Sequence, residues 1–347
     1  MSQSREAGLV MQSHYRGRRV VVTGADGFIG SHVVEALVVA GANVTALAAY
    51  NSFDAAGWLD DCPPATREAI RVVRGDVRDG GFVHRLLKDQ EICFHLAALI
   101  AIPFSYAAPR AYVDTNIIGT LNVLEAARDH GLSRVVNTST SEVYGTALVT
   151  PMPESHPLQG QSPYSATKIA ADMMVEAFAR SFSTPAVTLR PFNTFGPRQS
   201  ERAVISSTIR QMLDPDCKSV KLGDLTTKRD FTYVSDTSDA FLAIGVAENI
   251  DYGTAYNGGT GHAVTIGEMV DLVRTITGCN KPIEAEAARL RPANSEVLAL
   301  LADNTRLHRT AGWTPAIGFD QGLRQTVDWW RQRLASGRQR PSSDYML

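Results

Sequence analysis

Short apolar runs separated by amphipathic stretches set the rhythm of the first half of the chain. "RVVVTGA" is followed by a helical pattern from about Ser31 to Ala40, then by "NVTALAA" and "IRVVRGDV". "FVHRLLKD" precedes "ICFHLAA", "NIIGTLNVLEAARDHG" precedes "RVVNTST", and a long helical stretch after Pro163 precedes "AVTLRPFN". The strand runs lack polar alternation, as a parallel sheet covered on both faces requires. Alternating β and α units predict an α/β, doubly wound parallel sheet that takes its ligands beyond the carboxyl ends of its strands.

After Arg190 the rhythm loosens, and Pro191, Pro197, Pro215, Pro282, Pro292 and Pro315 punctuate shorter elements. This predicts a smaller C-terminal lobe. "RDFTYVSDTSDAFLAIGVA" reads as a return to the first lobe. The expected division is a loose leader over 1–17, a dinucleotide-binding lobe over 18–190 rejoined over 230–257, a substrate-binding lobe from 191–229 and 258–335, and a tail over 336–347.

Composition narrows the class. With 347 residues and 44% hydrophobic content the chain can bury two cores. The 34 basic and 36 acidic side chains give a formal charge of -2 with no basic stripe, which disfavours nucleic acid and anionic membrane as partners. Cys62, Cys93, Cys217 and Cys279 lie far apart, a pattern expected of reduced thiols in a cytoplasmic protein. No histidine spacing suggests a metal site. The strongest apolar run, "ICFHLAALIAI", stops at Pro103 and is too short to span a bilayer.

"VTGADGFIGSH" places Gly24, Gly27 and Gly30 between a strand and a helix, where the backbone turns tightly and the free helical N–H groups receive a pyrophosphate. The second strand then lacks the acid that ordinarily holds the adenosine ribose. "NVTALAAYNSF" offers Asn51, Ser52 or the backbone instead. With no Arg there to take a 2′-phosphate, NAD is expected ahead of NADP, which stays open. Asp76 in "RGDVRD" either reaches the adenine edge or is an ordinary turn acid.

"SPYSATK" supplies Tyr164 and Lys168 on one helix face, behind Ser162 and Pro163 as a helix start. An ammonium near the phenol, together with an oxidised nicotinamide, favours a phenolate that accepts a hydroxyl proton. The strand "RVVNTST" ends beside it in Thr140, Ser141 and Glu142.

On these motifs the chain resembles the extended short-chain dehydrogenases/reductases that act on nucleotide sugars, from about Arg18 to Arg331. "YNSFDAAGWLD", "HLAALIAIPFSYAAPRAYVDTN", "TSTSEVYGTA", "HPLQGQSPYSATK" and "RPFNTFGPRQS" are most similar to the NAD-dependent UDP-N-acetylglucosamine 4,6-dehydratases of the legionaminic-acid type. The resemblance implies a Rossmann-like fold and cofactor contacts at Gly24, Gly27, Phe28, Ile29 and Gly30. It extends those contacts to Asn51, Ser52, Asp76 and Val77, to Leu96, Ala97 and Ala98, and to Tyr164, Lys168 and Pro191. It implies that Thr140 bonds the substrate's 4-hydroxyl and that Ser141 and Glu142 stand where dehydratases hold their elimination acid and base. Asn193 and Arg229, with Arg291 a weaker candidate, match groups directed at the nucleotide diphosphate.

In such a reaction C4 of the hexose is oxidised, the C5 proton is removed, the 6-hydroxyl leaves as water, and hydride returns to C6 while a proton returns to C5. Many dehydratases carry an aspartate where this chain has Ser141. The same Thr-Ser-Glu order occurs in UDP-glucuronate decarboxylases, so that reading and a 4-epimerase remain alternatives, as does a catalytically silent dinucleotide-binding module. Kinship also implies a homodimer, paired through "YVDTNIIGTLNVLEAARDH" and "YSATKIAADMMVEAFARSF".

Overall fold

The computed structural model describes residues 14–286, 289 and 298–338. Its main sheet uses β1 (Arg19–Thr23), β2 (Asn43–Ala49), β3 (Ile70–Gly75), β4 (Ile92–His95), β5 (Arg134–Thr138), β6 (Ala186–Pro191) and, from far along the chain, β10 (Ala255–Gly258). They lie in the order β10-β6-β5-β4-β1-β2-β3, and every neighbouring pair is parallel. The order reverses between β1 and β4, which opens a crevice at the carboxyl edge. This is the doubly wound, Rossmann-like sheet that the hydrophobic pattern predicts.

Consecutive valines of β1 serve opposite faces. Val20 and Val22 join Val44, Phe94 and Val136 under the helices Phe28–Val39 and Val234–Val246. Val21 joins Leu47, Cys93 and Val135 under Gly80–Leu87, Gly119–His130 and Pro163–Phe182. Each such side chain contributes about 1.5–3 kcal/mol by leaving water, so neither face has room for polar alternation.

The second lobe is built around β9 (Lys228–Tyr233), which pairs with β7 (Asn193–Phe195), β11 (Ala263–Thr265) and β13 (Ala299–Leu300). A short parallel pair joins β8 (Val220–Leu222) to β12 (Ile283–Ala285). Phe195, Phe231, Met269, Leu323 and Trp330 form its core.

Two expected boundaries shift. The chain rejoins the first lobe through the helix Val234–Val246 and β10, not from 230, because β9 is committed by its ladder to the small sheet. The leader is also not loose to its end. Tyr15 is fully buried, donates to the Leu242 carbonyl at 2.7 Å and lies 6.4 Å from the Phe94 ring.

The final helix, Phe319–Ala335, returns to the first lobe. The Arg333 guanidinium lies over the rings of Trp58 (4.6 Å) and Trp329 (5.4 Å), which meet edge to face, and donates to Asp61 at 2.9 Å. Among the described residues no helix is long and apolar enough to cross a membrane, and all four cysteines are free.

Candidate active site

The glycine-rich turn leaves β1 with Gly24 at φ +66°, a left-handed conformation that favours glycine. A Cβ on Gly24 would lie 2.6 Å from the Ala97 nitrogen, and one on Gly30 would lie 2.1 Å from the Gly24 oxygen. Backbone is thus packed against backbone where β1 and β4 diverge. Thr23 Oγ1 receives the Ala97 N–H at 3.2 Å, which fixes the Leu96–Ala98 strand end beside the turn. Gly27 is the N-cap of the helix Phe28–Val39 and offers no side-chain cap, so the first N–H groups at Phe28, Ile29 and Gly30 are left for an anion. The cradle fits a dinucleotide pyrophosphate.

Around the adenosine end the expected residues separate. Asn51 Oδ1 accepts from the Phe53 and Ala55 nitrogens (3.1 and 3.2 Å), and its Nδ2 donates to the Ala49 and Ala55 carbonyls (3.3 and 2.8 Å). The side chain organises its own loop. Ser52 is exposed in that turn. Asp76 accepts from the Arg78 backbone and guanidinium, each at 2.9 Å, and that hydrogen bonding holds its carboxyl below the usual range. Here the ordinary turn acid describes it better than an adenine contact. Val77 is buried beneath Gly119, and Pro191 closes β6 opposite Gly258.

The chemical end forms where β5 meets the helix Pro163–Phe182. Ser162 caps this helix in a reciprocal box with Ser165, and Pro163 occupies its first turn. Thr140 caps a single 3₁₀ turn, Ser141–Tyr144: its Oγ1 accepts the Glu142 N–H at 3.2 Å and lies near enough to the Tyr164 phenol to favour its ionised form. Lys168 Nζ donates to the Thr138 carbonyl at 2.8 Å. The structure therefore brings Thr140, Ser141, Glu142, Tyr164 and Lys168 to one strand end.

Electrostatics there depart from the simple expectation. Burial pushes the Tyr164 phenol well above its ordinary value. The Thr140 hydroxyl opposes this, whereas the charge of Glu142 adds to it. Burial also lowers Lys168 to about 8, with Asp172 pulling it back up. In the protein alone the phenol stays protonated, and a phenolate depends on positive charge delivered with the cofactor.

Sequence reasoning missed what lies beneath this turn. Asp172 Oδ2 accepts from Ser139 Oγ at 2.9 Å and from Arg190 at 3.0 and 2.9 Å, in full burial. Arg190 also donates to the Tyr144 hydroxyl at 2.9 Å, and Tyr144 donates to Asn257 Oδ1 at 2.6 Å. Ser139 immediately precedes the Thr140–Glu142 triplet and Tyr144 ends its turn, so one buried ion pair braces both sides of it. The signal was present in part: Tyr164, Lys168 and Asp172 recur every fourth residue on one helix face.

On the second lobe Asn193 Nδ2 is buried with no hydrogen-bond partner, a donor suited to a ligand. Asn193 is in register with Phe231, and Arg229 lies two residues earlier on β9, on the same face as Phe231. Arg229 is buried and donates to the Lys228 carbonyl at 2.9 Å. Arg291 lies outside the described residues. The lobes are clasped by Arg198, a non-glycine residue at φ +70°, which grips Glu35 at 2.7 and 3.1 Å and donates to Ser31 at 3.2 Å.

The profile of the family described as "GDP-mannose 4,6 dehydratase" matches residues 21–326. The chain belongs to that family. Among similar members of this dehydratase and epimerase group, the dTDP-glucose 4,6-dehydratase of Xanthomonas campestris pv. campestris is 32% identical over 332 residues, covering 89% of this chain and 92% of its own. The UDP-glucose 4-epimerase of Mycolicibacterium smegmatis is 30% identical over 321 residues, covering 91% and 99%. The structure of MoeE5 in complex with UDP-glucuronic acid and NAD superposes with a TM-score of 0.78 at 34% identity, covering 90% of this chain and 99% of that one. Relatives named for dehydration and for epimerisation stand equally near. What they share is the nucleotide-sugar 4,6-dehydratase or 4-epimerase family.

Proposed function

We propose that the protein is an NAD-dependent nucleotide-sugar 4,6-dehydratase, with UDP-N-acetylglucosamine as its substrate. The observation that carries this reading is the carboxylate of Glu142, inside the 3₁₀ turn that Thr140 caps and close enough to Tyr164 for its charge to act on the phenol. An epimerase, which only turns its keto intermediate over, has no use for a carboxylate there. The substrate choice rests on the likeness of "YNSFDAAGWLD" and "LIAIPFSYAAP" to the legionaminic-acid type.

NAD, held at the Phe28, Ile29 and Gly30 N–H groups, would supply the reversible hydride acceptance that the reaction needs. Tyr164, beside Thr140, takes the proton of the 4-hydroxyl. Lys168, charged below about pH 8, adds positive charge under the helix. The C4 ketone makes the C5 hydrogen acidic, and Glu142 removes it. The 6-hydroxyl takes a proton from Glu142 and leaves as water, with Ser141 orienting the exchange because a serine is a poor acid; when hydride returns to C6, a proton returns to C5. Asn193 and Arg229 bind the diphosphate, for which a planar guanidinium is well shaped.

Incubation with UDP-N-acetylglucosamine should give a product lighter by one water in mass spectrometry. An unchanged mass, with other nucleotide hexoses inert too, would remove the reading. Glu142→Gln should stop C5 deuterium exchange while partial reduction of bound cofactor persists; undiminished exchange would show that the base is another group. The MoeE5 likeness favours a second reading on UDP-glucuronate, either decarboxylation or 4-epimerisation, recognised by carbon dioxide release or the galacturonate isomer. Two copies are expected to pair through the segments containing Val113 and Ile118 and, on the neighbouring helix, Met173 and Phe182, all partly exposed. A monomeric mass by light scattering would reject the pairing.

A further inference from the structure

The second strand ends without an acid, yet the structure places a carboxylate at its end. Asp26, the residue before Gly27 in the glycine-rich turn, directs Oδ2 at the Ala49 N–H, 3.1 Å away on the last residue of β2. Its backbone carbonyl receives the Trp58 N–H at 3.0 Å, and a Cβ on Gly57 would come within 2.6 Å of that oxygen. The end of β2 thus holds the side chain, and the Gly57–Trp58 turn holds its backbone, where a dinucleotide-binding sheet ordinarily carries its ribose acid, some twenty residues past the glycines. Asn51 is committed to its own loop, which leaves Asp26 in the position to do this work.

We propose that Asp26 is the ribose-reading residue, accepting the adenosine 2′-hydroxyl and turning away a 2′-phosphate by charge, so that the site takes NAD in preference to NADP. Of the two guanidiniums at this end, Arg74 is tied to Asp54 through its terminal nitrogen. Arg74, opposite Ala48 on β3, lies 2.8 Å from Asp54 Oδ1, donates to the Asp54 carbonyl, and acts on Asp26 as a nearby charge. Asp60 is likewise directed inward, accepting the Ala56 N–H at 2.7 Å. Asp26, Asp54 and Asp60 outnumber Arg74 and Arg67, which lines the same cavity, and this balance disfavours a further dianion. The inference rests on the dinucleotide reading of the cradle and is independent of which sugar is turned over.

The test is calorimetric titration of the wild type and Asp26→Asn, freed of bound dinucleotide, with NAD and with NADP. The asparagine oxygen still accepts the Ala49 N–H, so the turn keeps its shape while the charge is removed. The wild type should prefer NAD. In Asp26→Asn, NAD should weaken and NADP strengthen, so that the preference falls about 10- to 100-fold, the scale of a charged hydrogen bond. Equal weakening of both ligands would show a purely structural residue and overturn the proposal, as would an unchanged ratio. A measurement on the wild type alone guards against a variant that fails to fold: AMP should displace NAD more effectively than adenosine 2′,5′-bisphosphate, and the reverse order would overturn the proposal. If the wild type bound neither dinucleotide, the cradle reading itself would fall; if it bound both equally, Asp26 alone would.

Discussion

The two ends of the crevice are built from opposite materials. At the β1–β4 end, Gly24 and Gly30 press backbone against the Ala97 nitrogen and the Gly24 oxygen, so the site is shaped by what is missing from the side chains. At the β5–β6 end, the Thr140–Glu142 turn stands on a buried pair, Asp172 and Arg190, that reaches Ser139 on one side and Tyr144 on the other. The first end needs close approach to a pyrophosphate, which backbone N–H groups supply. The second must hold a carboxylate and a phenol in fixed relation, which takes charge, burial and hydrogen bonds with few alternatives. A shape tolerates little added volume; a network tolerates little lost charge.

That contrast is broken most severely at Arg190. Arg190→Met leaves Asp172 as an unpaired buried carboxylate, and we expect a loss of about 3–5 kcal/mol in urea unfolding. Turnover should fall further than stability explains at temperatures where the variant is folded, because Ser139 and Tyr144 lose their common anchor. Equal behaviour of variant and wild type would show that the pair does not brace the turn. Gly30→Ala tests the other end. Its methyl meets the Gly24 carbonyl, so dinucleotide affinity should drop about 10- to 100-fold, roughly 1.4–2.8 kcal/mol, with the Tyr164 region unperturbed in C5 exchange at saturating cofactor.

A pH profile sharpens the comparison with a smaller effect. Lys168 is held at about 8, below its unfolded value, because burial disfavours the ammonium. Its charged form, and with it C4 oxidation, should therefore decline as pH rises through about 8. Stability should move the other way between about 8 and 10.4, since the unfolded chain keeps a proton there that the native one has released. An alkaline limb that stays in place in Lys168→Met would assign the titration elsewhere. The smallest effect belongs to the exposed Asp76–Arg78 pair, side-chain exposures 43% and 53%. Arg78→Ala should change stability by less than about 1 kcal/mol and leave NAD affinity as it was.

Legibility in the sequence followed distance along the chain. The glycine turn, the valine-rich strands and the Tyr164–Lys168 spacing are local, and each announces its element within a few residues. The small sheet was harder, because β9 binds partners from both sides of it in sequence, so its residues from 230 on were assigned to the first lobe. Arg190 reads as one more strand residue until folding brings Tyr144, 46 positions away, onto its guanidinium. Tyr144 in turn bonds Asn257 across 113 positions. Asp26 was hidden differently: an acid was sought on β2, and the neighbouring turn brings a carboxylate to that strand end through a single bond to Ala49.

The Arg333 clasp bears on how the protein is made. During synthesis the first lobe emerges before its partners, and domains begin to fold in that order. The edge strand β10, and later the Arg333 guanidinium that covers Trp58 and Trp329, arrive only after β1 to β6 have emerged. A nascent chain released from the ribosome short of residue 333 would carry every glycine of the cradle and still leave the Trp58 loop without its pin.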